Sequence, residues 1–377
     1  MNKVLKIDEI VSFEKTYSFS RAIEGVGEFR HIHYGDIHTK LPSVIENATI
    51  LPTITEKKDF QVIEQGDILV ADASEDYKDL GKAVCYIGDD TNVIAGLHTH
   101  LLRSNKNIVD PEYLINLFQT NRYQKYVWKM GTGVSVLGLS KSNLGKYEVH
   151  LPTLNEQKKV ANFFNKLNKK IQLQQQKIEL LQEQKKGYMQ KIFKQEIRFK
   201  DEDGKDYPEW ENKKVKDIFH ITRGHVLSTN KISEKGSYPV YSSQTKNNGL
   251  LGYYNDFLFE NAITWTTDGA NAGNVKYRSG KFYCTNVCGV LLNNVGYANK
   301  CIAEMLNSVA FKYVSYVGNP KLMNNVMGEI SLNFPCVEEQ EKISNILIEF
   351  DKKIVKEEDK LEELNIQKRG FIQRMFI

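Results

Sequence analysis

The sequence predicts an α+β protein: two mixed α/β domains joined by two long antiparallel coiled-coil helices, in a pseudo-twofold repeat. Three observations predict it. Residues 151–193 return as residues 334–376 at a constant offset of 183, without a gap. Within both copies apolar residues recur every three or four positions. Before each copy lies a helix-like segment, then a loop and strand-like residues leading to a Pro, and in the second head short β-like runs precede that helix.

Head one is expected over residues 1–150. Asp110-Pro111-Glu112 reads as a helix start, with Asp as cap and Pro at the first position. That helix is expected to run to about Met130, followed by a Gly131-Thr132-Gly133 loop and strands leading to Pro152. The first long helix occupies residues 151–197. Pro152, Glu156, Gln157, Lys185, Gly187 and Phe193 match Pro335, Glu339, Gln340, Lys368, Gly370 and Phe376 in the second, over residues 336–377. Each helix should span 35–40 residues, roughly 55 Å at 1.5 Å per residue.

The seam is drawn through Leu167, Ile171, Ile178 and Leu181 in the first helix and Phe350, Ile354, Leu361 and Leu364 in the second. It is interrupted at matching places, by Gln174 and Glu357 and by Lys185 and Lys368. Such polar interruptions fix register and partner number. Residues 151–197 hold ten Lys/Arg against four Asp/Glu, whereas residues 336–377 hold eight against ten, so the two helices attract. Compact domains keep their termini close. The helices flanking head two should therefore run antiparallel, making a rod with a head at each end and bringing Ile377 back near Met1.

Head two is expected over residues 198–335. It begins with a charged, turn-forming linker at 198–212 that carries Pro208 and Trp210. β-like runs follow at 238–241, 262–267, 274–277, 281–284 and 287–292, then a helix at about 298–317. Lys125-Tyr126-Val127 matches Lys312-Tyr313-Val314, Gly131 matches Gly318, and residues 91–93 match 285–287, so the repeat reaches into the heads.

The net charge of +4 permits nucleic-acid binding without showing it. Residues 266–274 form a Thr/Asp/Gly/Asn loop suited to close approach and to hydrogen bonding with base edges or phosphates. Candidate contacts there are Thr266, Thr267, Asn271, Lys276 and Arg278, with Asn319, Lys321 and Asn324 on a second loop and Arg223 and Gln244 beside them. In head one the same residue types single out Arg30, His31, His33, Lys78, Lys82, Thr132, Ser135 and Lys141.

There is no G-x-x-x-x-G-K-[ST] phosphate loop and no Asp/Asn-Pro-Pro-aromatic motif of amino-methyltransferases. His31-x-His33 and His98-x-His100 read as groove or surface histidines rather than metal ligands. The five cysteines sit singly in apolar contexts and read as reduced core thiols. No apolar run suggests a signal peptide or membrane span, so a cytoplasmic protein is expected.

Head, Pro-x-x-x-Glu-Gln helix, head, Pro-x-x-x-Glu-Gln helix is an order that resembles the specificity subunit of type I restriction–modification enzymes. The stretch from Arg198 to Trp210 is similar to that family's inter-repeat joint. Residues 264–273 through 284–288 resemble one class of its target-recognition domains, while head one matches loosely, through Tyr34-Gly35-Asp36-Ile37 and its closing helix. The resemblance implies a non-catalytic subunit that reads a bipartite, asymmetric target in double-stranded DNA. It also implies two adenine-N6 methyltransferase subunits as partners, with restriction/translocase subunits able to join them. S-adenosylmethionine, ATP and Mg would then belong to the partners, and this chain would carry no cofactor. A rod of about 55 Å matches about 16 base pairs, so heads at its ends would read two short half-sites separated by an unread spacer that the rod length sets. The rival reading is a coiled-coil adaptor whose two heads bind proteins.

Overall fold

The computed structural model describes residues 3–244 and 246–376, so the expected approach of Ile377 to Met1 lies outside the described residues. Contacts divide the chain into two compact units, Met1–Gln175 with Asp359–Ile377, and Gln176–Glu358. Each unit contains one head and a stretch of both long helices.

The main sheet of head one is built from β1 (Val11–Glu14), β2 (Val44–Ile45), β3 (Ile68–Ala71), β4 (Ala83–Tyr86) and β5 (Thr99–Ser104). Their order is β1-β5-β3-β4-β2, antiparallel except for the parallel pair β2 and β4. The Ile-Leu-Val-Ala run of β3 is buried on both faces, which explains why it does not alternate. A smaller sheet joins Thr53–Ile54, Glu24–Ile32 and Val93–Ala95. The helix expected to run unbroken to Met130 is two helices, Pro111–Leu117 and Asn121–Met130. Thr120 sits between them, and its hydroxyl accepts from the Tyr123 amide, so a cap residue in a polar Gln-Thr-Asn-Arg stretch starts a new helix.

Head two is built from β6 (His220–Arg223), β7 (Tyr238–Tyr241), β8 (Leu250–Tyr254), β9 (Phe259–Thr266), β10 (Val275–Cys284) and β11 (Cys288–Leu292). The order is β6-β11-β9-β10-β7-β8, antiparallel except for the parallel pair β7 and β10. The runs at 274–277 and 281–284 are one strand that passes through Arg278, Ser279 and Gly280, with an irregular register against β9. The helix covers only Lys300–Val309. A single tight turn, Ala310–Tyr313, follows it, and the chain then turns back as a hairpin.

The first five strands of head two thus repeat the order of head one, including the parallel fifth strand. Sequence matching finds the repeat in the helices but misplaces it here. Val93 begins a strand of the small sheet, whereas residues 285–287 form the turn between β10 and β11. Each head also opens with a short strand paired antiparallel to the strand before its long helix. These are Lys3–Lys6 with Glu148–Leu151, and Glu211–Lys214 with Ser331–Phe334.

The long helices are α1 (Leu154–Phe193) and α2 (Val337–Met375), 40 and 39 residues. They are antiparallel in both units. In the first, the Phe163 and Phe371 rings meet edge-on at 5.1 Å and Phe164 lies 5.9 Å from Phe376. In the second, Lys177 pairs with Glu357 at 3.1 Å, Lys185 with Asp351 at 2.7 Å, and Tyr188 packs on Phe350 at 5.6 Å. Of the seam positions, Ile178, Ile354 and Leu364 are buried, and Leu167, Ile171, Leu181, Phe350 and Leu361 are half-buried. At the end of α2 the seam steps aside: Ile372 is buried while Phe371 and Met375 are exposed. The seam lysine Lys185 also reaches Glu304 of head two at 3.4 Å.

The Glu-Gln pairs have a structural reason. Gln157 is buried, donates to the carbonyls of Pro152 (2.9 Å) and Ile108 (3.2 Å), and accepts from the Asp110 amide (2.9 Å). Gln340 likewise donates to the Pro335 carbonyl (2.7 Å) and accepts from Asn299 (2.7 Å). Each glutamine therefore ties its long helix to the N-cap residue of its head's helix, satisfying buried backbone groups. Glu339 is also buried. It accepts from Arg198 (3.0 Å) and from the Trp210 indole (2.9 Å), so the expected linker is an ordered joint. Four of the five cysteines are buried, and all five are free. Among the described residues no helix is long and apolar enough to cross a membrane.

Candidate nucleic-acid interface

In head two three loops meet beyond the ends of β7 and β9: residues 242–244 with 246–249, residues 267–274 and residues 315–323. Asn271 donates to the Ser243 carbonyl (2.9 Å), the Gly269 amide to the Pro320 carbonyl (2.9 Å), and the Leu322 amide to the Thr267 carbonyl (2.9 Å). Lys276 donates to the Asn248 side chain, and Arg278 to the Asn248 backbone carbonyl (2.8 Å). Asn247, Asn248 and Gly249 all have positive φ (49°, 56° and 83°), an arrangement that Asn and Gly tolerate best. Arg278 buttresses that strained turn. It is buried, lies 3.7 Å over the Tyr241 ring, and its Nε donates to the Thr264 hydroxyl (3.3 Å).

The head-two candidates separate into two layers. Asn319 and Lys321 are exposed, and Arg223, Gln244, Asn271, Lys276 and Asn324 are half-buried. Thr266, Thr267 and Arg278 are buried. The Thr267 hydroxyl lies 2.7 Å from the Asp268 carboxylate and 3.1 Å from the Val287 carbonyl. Arg223 lies 3.7 Å from Asp268, and Gln244 donates to the Leu250 carbonyl. Asn324 donates weakly to the Thr222 carbonyl (3.4 Å), and its buried Oδ1 has no hydrogen-bond partner among the described residues. Burial first, then the charge of Arg278, holds the Lys276 pKa below the ordinary lysine value, while burial lowers that of Arg278.

In head one Lys78, Lys82, Thr132, Ser135 and Lys141 are exposed. A chain of contacts links most of this region. Lys82 donates to the His38 carbonyl (2.9 Å), and the His38 and His98 rings meet Tyr34 edge-on at 5.4 and 5.2 Å. His98 then lies 3.2 Å from Asp72, whose carbonyl accepts from the Leu139 amide (2.8 Å). Of the four histidines expected at a groove or surface, His98 is exposed, whereas His31, His33 and His100 are buried. His31 faces Glu24 at 3.2 Å, and His100 lies 2.6 Å from the Leu139 carbonyl. His33 caps the helix Tyr34–Thr39 by accepting from the Gly35 amide (3.1 Å). Burial, then the Arg21 charge, lowers the His33 pKa to about 4. Arg30 donates to the Leu51 carbonyl (2.5 Å). Sequence reading missed Tyr34 and Asp72 as organisers. It also missed the Asn247-Asn248-Gly249 turn, although an Asn-Asn-Gly run signals one.

One element recurs in both heads. Thr132 and Gly138 exchange amide hydrogen bonds (3.0 and 2.7 Å), and so do Ser315 and Lys321 (2.8 and 2.9 Å). The two hairpins stand 183 residues apart, the offset of the helices. The sequence match of Gly131 with Gly318 is therefore not an equivalence. Gly131 caps the helix ending at Met130, whereas Gly318, with φ 76°, lies in the hairpin tip.

The family model for the type I restriction modification DNA specificity domain matches residues 2–183 and again 207–365. A Mycoplasma pneumoniae protein described as a type I specificity subunit N-terminus is 48% identical over 141 residues, 36% of this chain and 75% of that one. A second specificity-subunit sequence from the same organism is 41% identical over 148 residues, 38% of this chain and 48% of its own length. The chain thus spans only about half of some relatives that it matches. The crystal structure of a type I restriction–modification S subunit from M. genitalium shares the fold, with a TM-score of 0.64 and 16% identity over 100% of this chain and 96% of that one. With two copies of the domain model covering most of its length, the chain belongs to the type I restriction–modification DNA specificity family.

Proposed function

We propose that this chain is the DNA-reading subunit of a type I restriction–modification assembly and is itself non-catalytic. Each head reads one short half-site of a bipartite, asymmetric target. The helix pair positions two adenine-N6 methyltransferase subunits and accepts restriction/translocase subunits. S-adenosylmethionine, ATP and Mg belong to those partners. The observation that carries this reading is one sheet order used twice on a repeated helix frame, with different polar loops at corresponding strand ends. The exposed Asn319, Lys321, Lys78 and Lys82 meet the duplex, while the buried Thr267, Arg278, His31 and His33 hold the loops in shape. A protein–protein adaptor is not favoured, because membership of the specificity family leaves it without an observation of its own.

The test is to map adenine methylation in a genome exposed to this chain and its methyltransferase. The expected motif has two unlike halves around an unread spacer. Exchanging residues 198–335 for the head of a relative should rewrite one half completely and leave the other untouched. An exchange that altered both halves would sink the two-reader model.

A further inference from the structure

The two hairpins are matched in more than position. Each closes with a reciprocal pair of backbone bonds, and each is pinned to the segment that follows a central strand. Leu137 and Gly138 pair with Ser74 and Ala73 after β3, and Leu322 and Pro320 bond to Thr267 and Gly269 after β9. Each exposes a valine at the same place: Val134 is fully exposed and Val317 is 92% exposed. Val136 and Tyr316 stand exposed beside them. A surface valine needs no explanation alone. Two at equivalent tips, on heads whose other loops differ, are a repeated feature.

We infer that the hairpins are a matched pair of tips that enter a groove of duplex DNA and set Val134 and Val317 against base surface. This rests on the DNA-reading role proposed above. The tips share their edge with the polar loops: Lys321 and Asn319 lie on one hairpin, Thr132 and Ser135 on the other. Single apolar side chains do wedge at base steps, a contact that any sequence can offer. A protein interface needs about 20–30 residues a side, and a tip of two apolar side chains is far smaller. Because the element is the same in heads that differ elsewhere, it supplies affinity common to both half-sites, and the divergent loops supply discrimination.

The experiment compares wild type with Val134→Ser, Val317→Ser and the double variant, each with the methyltransferase. Binding is read by fluorescence anisotropy on the mapped target and on a scrambled duplex, at several salt concentrations. Each serine should weaken both duplexes by roughly tenfold and the double by roughly a hundredfold, from lost apolar contact. The salt slope should stay put, because no charge is removed. Val134→Ile and Val317→Ile should bind like wild type. Undiminished binding by the serine variants, or a change confined to the target duplex, overturns the inference. So does lost assembly with the methyltransferase at intact DNA affinity, which would assign the tips to the protein partner. In all three cases wild-type binding leaves the DNA-reading role standing, and a wild type that binds neither duplex removes both.

Discussion

The two ends of the repeat treat the same glutamate in opposite ways. Glu156 and Glu339 are equivalent in sequence and both lie in the first turn of a long helix. Glu156 is exposed and accepts from the Thr153 amide (3.0 Å) and hydroxyl (2.7 Å), closing its own capping box. Those bonds to Thr153 hold its pKa below the usual carboxylate value. Glu339 has Cys336 where Thr153 stands and turns inward to Arg198 and Trp210. A joint segment has recruited the second glutamate and left the first to local helix chemistry. Identity in a repeat thus guarantees the frame and leaves the use of a side chain to its neighbours.

Removing Arg198 should break this contrast most sharply. Arg198→Ala removes the cation that faces the buried Glu339 carboxylate and leaves it the Trp210 indole as a donor. Stranding a buried charge typically costs about 3–5 kcal/mol. Urea unfolding of the second unit should shift accordingly, and Glu156→Gln should leave the midpoint of the first unit nearly unchanged. Equal shifts from both substitutions would show that the two glutamates do the same job.

A smaller effect separates the heads by pH. His33 is a helix cap held neutral, with its folded pKa near 4 against about 6.5 unfolded. Between those values the unfolded chain binds more protons, so head one loses stability as pH falls from about 6.5 towards 4 and keeps it above 6.5. The loss is at most about 3 kcal/mol. His33→Asn keeps an acceptor at the cap and should flatten the profile. Amide hydrogen exchange of residues 34–39 across pH 4.5–7 checks it, and an unchanged slope in the variant would assign the dependence elsewhere.

The helices and their seam were legible because each depends on a periodicity within one segment, and their antiparallel pairing because a compact head two returns the chain close to where it enters. The joint was legible from its Pro and Trp, although its anchor, Glu339, was visible only as half of a motif. The sheet order was not legible, since β2 with β4 and β7 with β10 pair across intervening strands and no local pattern specifies such partners. Strand β10 was split in reading at Ser279-Gly280, where the structure carries the strand through. The candidate interface was legible as loops and less so as layers. Thr267 and Arg278 have the chemistry of DNA contacts, yet partners distant in sequence, Val287, Asn248 and Tyr241, have drawn them inward.

That layering sharpens the last and smallest expectation. Lys321 is an exposed cation on the hairpin of head two, and Asn271 is a half-buried amide whose nitrogen is committed to the Ser243 carbonyl. A lysine facing phosphate acts on every sequence alike. Lys321→Ala should therefore weaken target and scrambled duplexes together and reduce the salt slope by about one. Asn271 keeps its side-chain oxygen and the second hydrogen of its amide to offer a base, and its bond to Ser243 also ties two loops together. Asn271→Ala should lower affinity for the target by roughly tenfold, with little loss on scrambled DNA and no change in slope. Asn271→Asp separates the two contributions of that side chain. It keeps an acceptor for a base amino group but can no longer donate to Ser243, so binding retained by Asp and lost by Ala would assign the oxygen to base reading. Loss in both would assign the role to the amide donors, which hold the loop through Ser243 and offer one further hydrogen, and would remove the oxygen from base reading.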